Sequence, residues 1–204
     1  MLWWTGNGGK KSTSKQWKIL TMAGYNDKYL WKYYRIQEDT TMNKKMFCYQ
    51  CEQTVGCTGC TGNAGVCGKK ADTARLQDEL TGALIGLARA VDSTTAISKR
   101  TGQVIIEGLF TTVTNVNFDD VSIENMIQKV RAEKERLVPD CSKCQSPCVK
   151  TDEYDMQQLW NANEDIRSLK SLILFGIRGM AAYAYHAYVL DYEDTEVNRF
   201  FCEA

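Results

Sequence analysis

The sequence lacks a surplus of charge of either sign: 25 Lys and Arg offset 25 Asp and Glu over 204 residues. Broad nucleic-acid binding relies on a basic excess to neutralise phosphates, so that class is disfavoured. No segment reads as a secretory leader either, because residues 1–30 hold neither a continuous apolar core nor a small-residue cleavage site. The most apolar run, Leu172 to Leu190, is interrupted by Arg178 and preceded by Lys170, which argues against a membrane span. Prolines number only two, no segment repeats, and no stretch reads convincingly as a strand. The expectation is an all-α, cytoplasmic chain that uses neither membrane nor nucleic acid as a partner.

What the sequence has in abundance is cysteine, nine residues in clusters: Cys48, Cys51, Cys57, Cys60 and Cys67, then Cys141, Cys144 and Cys148, then Cys202. Without export the thiols stay reduced, and clustered reduced thiols favour metal over disulfides. Residues 1–45 differ from the rest. They carry nine Lys and Arg against three Asp and Glu and four of the five tryptophans, with no helical or strand period. A basic aromatic arm is one reading of them. An extension without an evolved fold, such as an upstream start codon chosen in error, is the favoured one.

Beyond the cysteine loop the text turns helical. Leu76, Leu80, Leu84, Leu87 and Val91 recur by four, four, three and four, with Asp72 as the expected N-cap. Val104, Ile105, Gly108, Leu109 and Val113 share a side of a second helix. Ile123, Met126, Ile127, Val130 and Leu137 line a third, which Pro139 should end. From Asp155 to Leu190, the residues Ile166, Leu169, Leu172, Ile173, Ile177 and Met180 form the expected apolar face, with Gly176 and Gly179 permitting close helix approach. A further amphipathic helix, "TEVNRFFCEA", has barely begun when the sequence stops, as in a fragment.

The loop "MFCYQCEQTVGCTGCTGNAGVCGKK" carries the chemistry. Iron–sulfur clusters take Cys thiolates, and a compact run opening C-x2-C suits them. Gly56, Gly59, Gly62, Gly65 and Gly68 let the backbone wrap a bulky group and aim N–H donors at it. Zinc is the rival, since Cys48/Cys51 and Cys57/Cys60 form two C-x2-C pairs. Only five residues separate those pairs, whereas zinc ribbons place roughly fifteen or more between knuckles. Spacing therefore favours iron–sulfur and leaves zinc open.

"MFCYQCEQT", "GCT", "GVCGK" and "LQDEL" resemble the start of the hybrid cluster protein family, also called prismane proteins or hydroxylamine reductases. "GLFTTVTNVNFD", "LWNANEDIRSLKSLILFGIRGMAAYAYHAY" and "EVNRFF" resemble the rest of that family's N-terminal domain. The likeness runs over residues 46–204 and leaves residues 1–45 unmatched. It implies two small helical bundles, 46–138 and 155–204, the second truncated, with a Gly/Cys-rich Fe–S loop. It implies Cys48, Cys51, Cys60 and Cys67 as ligands of a cubane-type [4Fe–4S] cluster, with [2Fe–2S] the lesser alternative and Cys57 a bystander. It implies an electron donor, either a reductase or a ferredoxin, and hydroxylamine reduction or nitric oxide reduction under nitrosative stress. The family's mixed Fe–S–O hybrid cluster is held by His, Glu and Cys in domains with no counterpart here, so an electron-relay role without a catalytic residue is expected. The competing class is a zinc-stabilised helical binding module without catalysis.

Other features attract blander readings. Cys141, Cys144 and Cys148 have no fourth ligand nearby and read as a variable connector. His186, the only histidine, and Tyr183, Tyr185 and Tyr188 read as packing residues. Arg167, Lys170 and Arg178 read as a solvated or salt-bridged face. Cys202 reads as a helix thiol.

Overall fold

The computed structural model of the chain describes residues 46–51, 58–91, 97–113, 117–138 and 152–204. Residues 1–45, Cys57, Pro139, Cys141, Cys144 and Cys148 lie outside them. The described residues are all-α: six helices, without a strand.

The centre is built by α1 (Ala71–Ala90), α2 (Lys99–Thr111) and α3 (Asp120–Leu137). The leucine period of α1 buries Leu76, Leu80, Leu84 and Leu87, which meet Val104, Ile105 and Leu109 of α2 and Ile123, Met126, Ile127 and Val130 of α3. Burying each such side chain is worth roughly 1.5–3 kcal/mol. Local chemistry fixes the starts. The Ser98 hydroxyl accepts from Thr101 N–H, and the Asp119 carboxylate accepts from Val121 N–H. Asp72 is not the N-cap of α1. The helix begins at Ala71, Lys70 holds the cap position without a side-chain bond, and Asp72 lies in the first turn, where its charge complements the helix dipole.

Glycine decides two close approaches. A Cβ on Gly82 would fall 2.2 Å from Tyr154 O, and one on Gly108 would fall 2.7 Å from Leu84 Cδ2. The extended segment 152–155 therefore lies directly on α1, and Tyr154 N–H donates to Gly82 O at 3.1 Å. The Arg131 guanidinium of α3 joins this segment to α1, bonding both Glu153 oxygens at 2.6 and 2.7 Å and Glu79 at 2.8 Å. Glu133, fully buried on α3, accepts from Thr101 at 2.7 Å and from Arg136, and pairs with Arg100 at 2.8 Å.

Three more helices follow: α4 (Met156–Trp160), α5 (Glu164–Val189) and α6 (Thr195–Glu203). Asp155, Asn163 and Asp194 cap them. The short α4 rests on α1, while α5 and α6 pack on α2 and lend Ala181 and Phe201 to the central core.

The expected apolar face of α5 is not the buried one. Ile166, Leu169, Leu172, Ile173 and Met180 are all exposed, and only Ile177 of that set packs against the core. The inward side runs through Ser171, Leu174, Arg178, Ala181 and Tyr185, which keeps the 3.6-residue period on a different face. Among the described residues a Cβ on Gly176 or Gly179 would meet nothing within 4 Å, so these glycines serve no approach to another described helix. His186 and Tyr183 are exposed rather than packed inside; His186 stands edge-on to Phe110, which stacks on Tyr185 at 4.7 Å. No helix among the described residues is long and apolar enough to cross a membrane.

Candidate metal centre

The cysteine loop is closed by backbone pairing. Cys48 N–H donates to Cys60 O at 3.0 Å and Cys60 N–H to Cys48 O at 2.8 Å, an isolated antiparallel bridge that sets these two residues side by side. Gly59 precedes Cys60 with φ +101°, a conformation natural to glycine, and a Cβ there would meet Phe47. A second turn carries Cys67. Gly68 N–H donates to Gly65 O and Gly65 N–H to Lys69 O, both at 2.8 Å, with Gly68 at φ +86°.

Cys48 and Cys60 are buried, Cys51 and Cys67 half-buried, and all four are free thiols. Burial pushes the Cys48 thiol up; the Gln50 backbone N–H and the charge of Lys69 oppose that shift. Among the described residues, no three His, Cys, Asp or Glu side chains stand close enough together to hold an ion. The structure thus sets Cys48 and Cys60 side by side, and brings no third of the described thiols to a common point with them. The donor set nonetheless fits a thiolate-bound metal group: four reduced thiols, two glycines at positive φ, and a polar floor of unusual charge.

That floor is the part sequence reasoning missed. Lys69 is only 1% exposed. Its Nζ donates to Gln50 Oε1 at 2.9 Å and to Gln77 Oε1 at 2.5 Å. Gln50, also buried, donates through Nε2 to Ala74 O at 3.0 Å and to Asp78 Oδ1 at 2.7 Å. Gln77 Nε2 donates to Asn117 O at 2.9 Å. Burial raises the Asp78 carboxyl, against the pull of bonds from Gln50 and the Trp160 indole.

Arg178, which the sequence suggests is solvated or salt-bridged, is also inside. It is buried, with Nε donating to Thr112 Oγ1 at 3.0 Å and Nη2 to Thr81 Oγ1 at 2.9 Å. Its Nη1 has no partner among the described residues. Desolvation pulls this guanidinium down to about 10, with Asp78 and Cys48 opposing. A signal for this layer was present. Thr73, Gln77 and Thr81 recur at four-residue spacing beside the leucine stripe, so α1 carries a polar stripe that is buried as well.

Flanking the loop, Phe47 and Tyr49 meet Trp160 at ring distances of 6.0 and 5.9 Å. These aromatics line a cavity of about 420 Å³ together with Thr58, Asn161 and Arg167. Cys202 lies on α6, where burial pushes its thiol up to about 11.

A model of the Prismane/CO dehydrogenase family matches residues 46–204. The protein named hydroxylamine reductase of Thermodesulfovibrio yellowstonii is 41% identical over 182 residues, which is 78% of this chain and 33% of the relative. That of Thermoanaerobacter pseudethanolicus is 40% identical over 180 residues, 76% of this chain and 32% of the relative. That of Methanococcus vannielii is 38% identical over 180 residues, 78% of this chain and 32% of the relative. The chain spans about a third of the length of these curated relatives.

Proposed function

This chain belongs to the Prismane/CO dehydrogenase family, and on that premise we propose that it is the electron-relaying, iron–sulfur part of a hydroxylamine reductase-like oxidoreductase. The observation that carries the reading is the loop itself. Cys48, Cys51, Cys60 and Cys67 are free thiols in a Gly-rich turn structure, and the buried Lys69 acts on Cys48.

Cys48, Cys51, Cys60 and Cys67 are the residues that would hold a [4Fe–4S] cluster. Bound there, the cluster would supply one-electron storage at a potential set by thiolate ligation, N–H donors and burial. The chain's own residues do the remaining work. The Cys48–Cys60 bridge fixes the loop's register, and the Gln50 backbone N–H supports the Cys48 sulfur. Phe47 and Tyr49 pack against Trp160 beside the loop.

The reaction assigned to the full-length enzyme joins hydroxylamine with two electrons and two protons to give ammonia and water. In this reading, electrons enter from a cytoplasmic reductase or ferredoxin. They leave towards a second centre in the part of the relatives beyond the matched third. This chain alone would relay electrons without turning over hydroxylamine.

The test is anaerobic reconstitution of the whole chain with iron and sulfide, followed by iron and zinc counts and an EPR spectrum after dithionite. About four irons per chain and an S = 1/2 signal are expected. Cys48→Ser or Cys67→Ser should abolish cluster uptake, while Cys57→Ser should leave it intact. A colourless protein holding one zinc would overturn the redox role, and equal iron loss in all three variants would overturn the ligand set.

A further inference from the structure

Among the described residues, Lys69 is a buried ammonium without a carboxylate on it. Its Nζ donates to two neutral amide oxygens, Gln50 Oε1 and Gln77 Oε1, and stands 6.0 Å from the centroid of the Phe118 ring. Charges that leave water are ordinarily compensated by a partner of opposite sign. The half-buried Asp78 is the carboxylate of this layer, and it is shared: Gln50 lies between it and Lys69, and the charge of Arg178 acts on it as well. Glu133, a carboxylate that is fully buried, is occupied by Arg100 and Arg136. Lys69 and Arg178 are two buried cations with no carboxylate bonded to either among the described residues, which leaves positive charge under-compensated here. Arg178 Nη1, a donor without a partner among the described residues, belongs to the same imbalance.

The excess lies on the side of the thiols. Lys69 is two residues beyond Cys67 in sequence, and its partner Gln50 sits between Cys48 and Cys51. The Gln50 backbone N–H bonds to the Cys48 sulfur while the Gln50 side chain holds Lys69. One residue thus ties the cation to a thiolate ligand. A group of four thiolates around iron and sulfide is anionic, and each electron it accepts makes it more so.

We propose that Lys69 is a positioning residue for the redox centre, a fixed buried positive charge that raises the reduction potential of a cluster held by Cys48, Cys51, Cys60 and Cys67. This rests on the cluster reading given above. The balance is simple: the cluster takes up one electron from an external donor, no bond is made or broken, and the nearby charge favours the more negative state. A merely structural lysine would hold Gln50 and Gln77 in place and leave the potential alone.

Redox titration of the reconstituted full chain, followed by visible bleaching and EPR, separates the two. Lys69→Met should retain iron and become about tenfold harder to reduce, a fall of about 59 mV for a one-electron couple. Gln77→Glu, which keeps the lysine and sets a carboxylate against it, should lower the potential in the same direction; it provides the reading if Lys69→Met fails to fold. Lys69→Arg, which keeps the charge, should stay near the parent. Iron-loaded variants with unmoved potentials would overturn the role of Lys69 alone. A parent chain that takes up no iron would overturn the cluster reading, and this one with it.

Discussion

Gly82→Ala should destabilise this chain although it places the best helix former in a helix interior. In an open helical position the exchange gains about 1 kcal/mol. At Gly82 the new Cβ would lie 2.2 Å from Tyr154 O, roughly 1 Å inside contact distance. The neighbour is backbone, so it cannot swing aside as a side-chain tip would. The segment 152–155 must lift from α1, which stretches the 3.1 Å bond from Tyr154 N–H to Gly82 O. Overpacking costs about 1–3 kcal/mol and the lost hydrogen bond about 1 kcal/mol. Subtracting the propensity gain leaves a net loss of roughly 1–3 kcal/mol. Gly179→Ala in α5 is the control, because nothing lies within 4 Å of its Cβ; there the gain should survive nearly whole. Urea denaturation followed by far-UV circular dichroism compares the two on one scale. The displaced segment leads into α4, so Trp160 should shift against Phe47 and Tyr49 and Gly82→Ala should also hinder cluster assembly. A Gly82→Ala chain as stable as the parent, or more so, would refute the reasoning.

Two electrostatic predictions accompany it. The Arg136 guanidinium first, with Thr101 and Arg100, holds the Glu133 carboxyl below its usual range. A depressed carboxylate contributes stability that is present above its unfolded pKa of about 4.3 and is lost as pH falls through the folded value. Glu133→Gln should therefore be less stable than the parent at pH 6, with a gap that narrows as pH is taken below about 4; a gap independent of pH would count against it. Arg131 grips both Glu153 oxygens and Glu79, a fork that lysine cannot reproduce. Arg131→Lys should therefore lose stability nearly as Arg131→Met does, and an Arg131→Met/Glu153→Gln double-mutant cycle should give a coupling of about 1–2 kcal/mol.

The cores of α1, α2 and α3 were legible because leucine, isoleucine and valine at 3.6-residue spacing have one favourable solution, burial of the stripe. Both stripes of α1 are present in the text, yet spacing alone points only the apolar one inward. Thr73, Gln77 and Thr81 look solvent-facing until Asp120, Lys69 and Arg178 supply their partners from 47, 8 and 97 residues away. In α5 the more hydrophobic face was expected inside, whereas Ser171, Arg178 and Ala181 are the buried set. Apolar period reports that a helix has faces; it does not say which neighbour each face meets.

By itself the sequence determined the helical class, the leucine-lined core of the first three helices, and a thiol-rich Gly loop suited to a metal. Those follow from local propensity, spacing and donor chemistry, all of which act over a few residues. Only the tertiary structure decided that Lys69 and Arg178 are buried within reach of the charge on Cys48, that Gln50 links Lys69 to it, and that Gly82 must stay bare. Each of these depends on segments remote in sequence meeting at short range, where excluded volume and the cost of burying charge take over from local preference.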